Sequence, residues 1–177
     1  MASFQALSKY AILQVYLTMY DFMTITLEKA TAEDAEVLHA MQIKCFLPLL
    51  EKYKDHGTNP ACEPIDKTLT RITDPLKGFY KILKDNILVG GFVVKHTNPG
   101  TLFLGPIFID PEFQNQKIAQ KALKLIEDVF PTIDFFELAT IAEEKRNVYL
   151  YEKMGYIATG ENKKISDSMI IPFFRKK

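Results

Sequence analysis

Leu104-Gly-Pro-Ile-Phe-Ile-Asp-Pro-Glu-Phe-Gln-Asn-Gln-Lys-Ile-Ala-Gln-Lys-Ala-Leu123 is the stretch that decides how this chain folds. It opens as the end of a nearly continuous apolar run, residues 101–109, the pattern of a strand covered on both faces. Asp110-Pro111 turns the chain. From residue 114 to 129 the apolar residues Ile118, Ala122, Leu125, Ile126 and Val129 share one face of a helix. Residues 133–140 are apolar again, so the order is strand, helix, strand. Such a unit closes as a parallel pair with a right-handed crossover. The first turn of its helix exposes unpaired backbone N–H groups at the positive end of a dipole, which suits a pyrophosphate.

On the N-terminal side, residues 24–30 alternate and are β-branched, a strand signal. Thr31 caps a helix marked by Ala35, Leu38, Met41, Ile43 and Cys45. It is expected to run to about Phe46 and to stop at Pro48. Residues 47–63 read as a short helix and then a loop punctuated by Gly57 and Asn59-Pro60. Pro64 suits the first turn of a further helix through Ile65, Leu69 and Ile72. Asp85-Asn86 is a hairpin turn between strands 78–84 and 87–96. On the C-terminal side, a helix over 143–154 closes at Gly155. Two last strands, 156–160 and 166–174, are expected to turn at 161–164. The fold class is α/β (α+β), a mixed sheet flanked by helices.

The composition is that of a globular protein, with 177 residues, of which 47% are hydrophobic and 25% charged. Lys+Arg and Asp+Glu are both 22, and the lysines are dispersed among acids, so a nucleic-acid grip built on charge is excluded. The excess of lysine over arginine hints at an AT-rich bacterial genome. Cys45 and Cys62 have no C-x-x-C or His partner at ligand spacing, so no metal site is expected. They read as reduced thiols in a cytoplasmic protein, a single disulfide being the alternative.

Residues 1–22 form an apolar extension to a single domain over 23–177. Phe4, Leu7, Ala11, Val15 and Met19 fall at helical spacing, the reading of a helix packed on a neighbour; the alternative is a loosely held tail. Ser8, Lys9, Gln14 and Thr18 interrupt the run, so no membrane span is expected. An apolar segment of this kind calls for a cover, and a second copy in a homodimer is one candidate.

Two segments resemble the GNAT superfamily of N-acetyltransferases. The first is Gln114-Asn115-Gln116-Lys117-Ile118-Ala119, similar to the family's Q/R-x-x-G-x-G/A at a helix start. Gln114 and Ala119 match, and Lys117 stands where the family usually has its first glycine. That position is expected to lie in the helix, where φ is negative and any residue presents its N–H. The second is Asn147-Val-Tyr-Leu-Tyr-Glu-Lys-Met-Gly-Tyr156, similar to the family's L-Y-E-K-x-G-F, with Leu150, Tyr151, Glu152, Lys153 and Gly155 identical. The family's frequent Asn lies seven residues before this Tyr, where Glu144 stands; Asn147 is the substitute for its contact.

The resemblance implies a mostly antiparallel sheet with a central, splayed parallel pair, and acetyl-CoA as donor to a primary amine of a small molecule or peptide. It implies pantetheine along the backbone of Ile107, Phe108 and Ile109, and diphosphate on the segment Gln114, Asn115, Gln116, Lys117, Ile118, Ala119 and Gln120. Tyr151 takes the family's general-acid position. Glu137, sharing a strand face with Ala139, is the candidate base, against the plainer reading of a solvent-facing residue. His56, Glu51, Tyr53 and Asp55 are candidate acceptor contacts. The rival function is an acyl-CoA-binding or protein-interaction module of the same fold, favoured by Lys117 and Glu144.

Overall fold

A computed structural model of the chain describes residues 24–177. The expected helical extension over 1–22 lies outside the described residues. The strands are β1 (Ile25–Lys29), β2 (Lys77–Lys84), β3 (Ile87–Asn98), β4 (Thr101–Ile109), β5 (Phe135–Ala139), β6 (Ile157–Ser166) and β7 (Met169–Lys176). The helices are α1 (Ala35–Tyr53), α2 (Ile65–Thr73), α3 (Ile118–Val129) and α4 (Lys145–Lys153). One seven-stranded sheet has the order β1-β2-β3-β4-β5-β7-β6. Only the β4–β5 pair is parallel, the pair joined by the α3 crossover.

The alternation along β3 sends side chains to two faces. Phe92 and Val94 join a core with Leu102, Leu104, Ile118, Ala122, Ile126, Leu138 and Tyr151, beneath α3 and including part of α4. Val93 joins Leu38, Ile72, Phe79 and Phe108 beneath α1 and α2. Leu38 and Phe79 are completely sealed there. Covered on both faces, β4 carries no polar side chain after the buried Thr101, which is why its sequence reads as one apolar run.

Three expectations are corrected. The helix expected to stop at Pro48 continues to Tyr53. Proline removes one helix donor at a cost of about 3 kcal/mol, and the apolar face offsets it: Cys45 and Phe46 pack on the second core. The helix ends instead at Lys54, whose left-handed φ of 55° lets its N–H bond Leu50 O at 2.8 Å. The last hairpin turns at Asp167-Ser168, not at 161–164, because β6 is one long strand, exposed through most of its length, with a bulge between Ala158 and Asn162. The helix expected from residue 114 starts only at Ile118, after a short 3-10 turn over Pro111–Phe113. The Asp85-Asn86 turn is as expected, with φ of 50° and 66°, the left-handed pair of a type I′ hairpin.

The sheet is broken at its centre. β4 pairs with β5 only from Thr101↔Phe135 to Leu104↔Leu138. Gly105 and Pro106, joined by a cis peptide, follow. Beyond them β4 continues against β3 alone, Ile107 opposite Phe92 and Ile109 opposite Gly90, while Ala139 at the end of β5 pairs with Phe173 of β7. Gly105 has φ 146°, a conformation that L side chains rarely adopt. An added methyl would meet only Phe103, at 3.6 Å, so space permits it and the backbone does not. Gly105→Ala is therefore expected to destabilise the fold by about 1–3 kcal/mol; a urea midpoint unchanged from wild type would contradict this.

Candidate active site

Where β4 and β5 part, a cavity of about 290 Å³ opens. Its wall at the parting is Leu104, Gly105, Pro106 and Ile107 of β4 with Ala139, Thr140 and Ile141 after β5. Asn147 and Tyr151, one turn apart on α4, close one side. Phe46 and Leu49 of α1, the segment Asp55, Thr58, Asn59, Pro60 and Glu63, and Met169 and Ile171 of β7 complete it.

Tyr151 is 8% exposed, and burial pushes its phenol up to about 12. It packs edge-on against Tyr156 and tilted against Phe174, which fixes the ring. The phenol therefore stays protonated at every working pH. The same burial would raise the proton affinity of any thiolate formed beside it, so donor and acceptor are shifted in one direction.

The turn ahead of α3 is the second part of the site. Lys117 is the N-cap with φ 60°, and Asn115 has φ 65°. Both occupy the left-handed region, so the expectation of a helical, negative φ at Lys117 is corrected: the chain needs here the conformation glycine adopts most readily, and lysine holds it. The first helical bond is Lys121 N–H to Lys117 O at 3.1 Å. The amides of Ile118, Ala119 and Gln120 therefore lie ahead of the helical ladder, and the Lys117 side chain makes no cap hydrogen bond to them.

Side chains tie this turn from three directions. Gln114 Nε2 donates to Ile109 O at 3.0 Å. Lys84 Nζ, from β2, donates to Gln116 Oε1 at 2.6 Å. Arg146 of α4 donates to Asn115 Oδ1. Lys44 Nζ clasps both oxygens of Asp110 at 2.9 and 3.0 Å. Burial raises the Asp110 carboxyl, but Lys44 and the Glu112 amide outweigh it and hold it below the usual carboxylate range. The Cys45 thiol donates to Ile109 O at 3.4 Å, and burial pushes it up to about 11, an unreactive thiol.

The predicted residues divide. Tyr151, Asn147 and Ile107 meet at the cavity. Phe108 and Ile109 turn their side chains into the two cores, leaving only backbone to a ligand. Glu137 does not reach the cavity wall: Arg175 donates to its Oε1 from Nε at 2.8 Å and from Nη2 at 2.5 Å. Glu144 turns away as well, accepting from Tyr53 Oη and Lys52 Nζ, both at 2.7 Å, bonds that lower its pKa. Of the acceptor-contact candidates, Asp55 lines the cavity and Tyr53, His56 and Glu51 do not. Sequence reasoning passed over Glu63, Arg146 and Lys84. Only Arg146 carried a signal, a cation at the start of the motif helix.

The acetyltransferase (GNAT) family model matches residues 43–156. Over 138 residues, 75% of this chain and 72% of the other, the sequence is 38% identical to YrkN, an uncharacterized protein of Bacillus subtilis. The fold is similar to spermidine N-acetyltransferase of Vibrio cholerae solved with CoA and spermine: TM-score 0.68, 17% identity, 86% of this chain and 94% of that one. It is equally similar, with TM-score 0.68 and 15% identity over 86% of this chain and 94% of that one, to an acetyltransferase of Salmonella typhimurium that modifies the N-terminal serine of a ribosomal protein. At such identities the likeness is one of fold.

A non-glycine residue in the left-handed region costs about 1–2 kcal/mol. Lys117→Gly is expected to relieve about 1 kcal/mol and raise the thermal midpoint by about 2–4 °C. A lowered midpoint in a thermal scan would show that the lysine side chain contributes more than its backbone costs.

Proposed function

Since the chain belongs to the acetyltransferase (GNAT) family, we propose that it moves an acetyl group from acetyl-CoA to a primary amine by direct attack in a ternary complex. The observation that carries this reading is the cavity at the parting of β4 and β5, with Tyr151 in its wall. The pantetheine arm runs along Ile107, Phe108 and Ile109, whose backbone on that side has lost its β5 partner. The diphosphate rests on the amides of Ile118, Ala119 and Gln120, with Asn115 and Gln116 holding the turn and Lys117 adding charge. Asn147 supplies a polar contact one turn before Tyr151.

The acceptor amine must be neutral to attack, and an alkyl amine titrates near about 10.4 in water. Its lone pair adds to the thioester carbonyl, whose oxygen takes up the charge and is met by a backbone N–H of β4. The carbon–sulfur bond breaks, the sulfur takes the Tyr151 proton, and the proton shed by the amine nitrogen returns to the phenolate through water. The products are an amide and free CoA thiol. Glu137 can serve as a base only through water and through Oε2, since Arg175 engages Oε1. The features that favoured a binding module have local roles: Lys117 holds the left-handed turn, and Glu144 joins α4 to the end of α1.

Acetyl-CoA is expected to raise the thermal midpoint, and amines to release thiol from it. Tyr151→Phe should lower kcat by about 10²-fold with acetyl-CoA affinity retained; unchanged turnover would remove the acid assignment. Saturable binding with no thiol from any amine would favour the binding module. Because burial raises the Tyr151 phenol above its ordinary value, the protonated form it needs is lost only near the shifted value of about 12. The rate should therefore rise with pH as the amine deprotonates, with no falling limb up to pH 10 in a kcat/KM profile.

A further inference from the structure

The acceptor end of the cavity holds two carboxylates of different standing. Glu63 is spent: Arg71 donates to both of its oxygens at 2.6 and 3.0 Å, Lys67 Nζ reaches Oε1 at 2.5 Å, and Gln42 Nε2 reaches Oε2 at 3.0 Å. Asp55 is 8% exposed, and none of the ion pairs among the described residues includes it. Its partners are neutral. The amides of Gly57 and Thr58 donate to Oδ1 at 3.1 and 2.9 Å, and the Thr58 hydroxyl donates to Oδ2. Burial raises the carboxyl, but these bonds, with the field of Lys163 on β6, hold it below the usual range, so it is ionised at neutral pH.

A carboxylate has about four acceptor positions, and three are taken here. A buried anion with no ion pair, and with only the field of Lys163 from beyond ion-pair distance, is expensive, and a cationic ligand would repair the deficit. The rest of the wall is largely apolar, with Phe46, Leu49, Phe103, Ile141, Met169 and Ile171, and among the described residues no Lys, Arg or His lines it. An acceptor carrying a carboxylate or phosphate would face Asp55 with no base among the described lining residues to offset the repulsion. Nor does Asp55 suit the reacting nitrogen itself. A carboxylate beside an amine raises its pKa and keeps it protonated, which opposes attack.

Building on the transferase reading above, we propose that the acceptor is a small primary amine whose apolar body carries a second positive charge, and that Asp55 binds that second charge. Specificity then comes from a charge that takes no part in bond making.

The test compares pentylamine, 1,5-diaminopentane and 6-aminohexanoate as acceptors for the full chain, with thiol release as the readout. The diamine should exceed the monoamine at least tenfold in kcat/KM, and the amino acid should be the poorest. Asp55→Asn keeps an oxygen for the Gly57 and Thr58 amides. It should bring the diamine-to-monoamine ratio close to one, chiefly through KM. A ratio unchanged in the variant, or kcat lowered equally for all three acceptors, overturns the proposal. If Asp55→Asn does not fold, equal kcat/KM for the three acceptors of the wild-type chain overturns it as well. If no amine yields thiol, the transferase reading fails by itself, and calorimetry still decides the site. Saturable binding of 1,5-diaminopentane that is weakened at least tenfold in Asp55→Asn supports it, and no binding to the wild-type chain overturns it.

Discussion

The interruption of one hydrogen-bond ladder governs this molecule. β4 and β5 are joined for four residue pairs and then separate, and the ladder ends where Gly105 and Pro106 follow. Buried backbone groups must find partners, so strands part only where something else can take them up. Pro106 brings no donor, and the residues after it keep β3 on one side and lose β5 on the other. The two cores sit on opposite faces of the sheet and do not fill this gap. The cavity is thus a property of the backbone, and the side chains around it only decide what it accepts.

The helices around the opening are fixed by polar contacts at their ends. Lys44 joins α1 to the end of β4, Glu144 joins the end of α1 to the start of α4, and Arg71 with Glu63 joins α2 to the loop before it. These contacts differ in weight. Lys44 and Lys52 are half exposed, and solvent screening leaves such pairs little weight. The Arg71–Glu63 pair is nearly sealed, and removing one partner there would strand a charge at a cost of about 3–5 kcal/mol. The cavity wall beside Glu63 is therefore more firmly set than the rim.

Much of this was legible in the chain itself, for local reasons. The apolar run of β4, the helical period after it and the Asp85-Asn86 turn are short-range signals, and each was realised. Asn147 and Tyr151 share a helix face by spacing alone. What was not legible depends on distant partners. Pro48 does not end α1, because the packing of Phe46 on a core assembled from β2 to β4 outweighs a lost donor. Glu137 is turned to Arg175 by the β5–β7 register, which only the finished sheet defines. Lys117 takes the conformation glycine usually supplies because neighbouring contacts set the whole turn. Asp55 was one of four acceptor-contact candidates in a loop without periodicity, and only the assembled wall sets it apart from Glu51, Tyr53 and His56.

The turn before α3 is tethered by Gln114, Lys84 and Arg146. These intrachain bonds charge the ordering entropy of the turn to folding. If this turn seats the diphosphate as proposed, affinity for the donor becomes coupled to the integrity of residues as remote as β2. Natural variation at Lys84 could then retune cofactor saturation without a single change among the groups that touch the nucleotide.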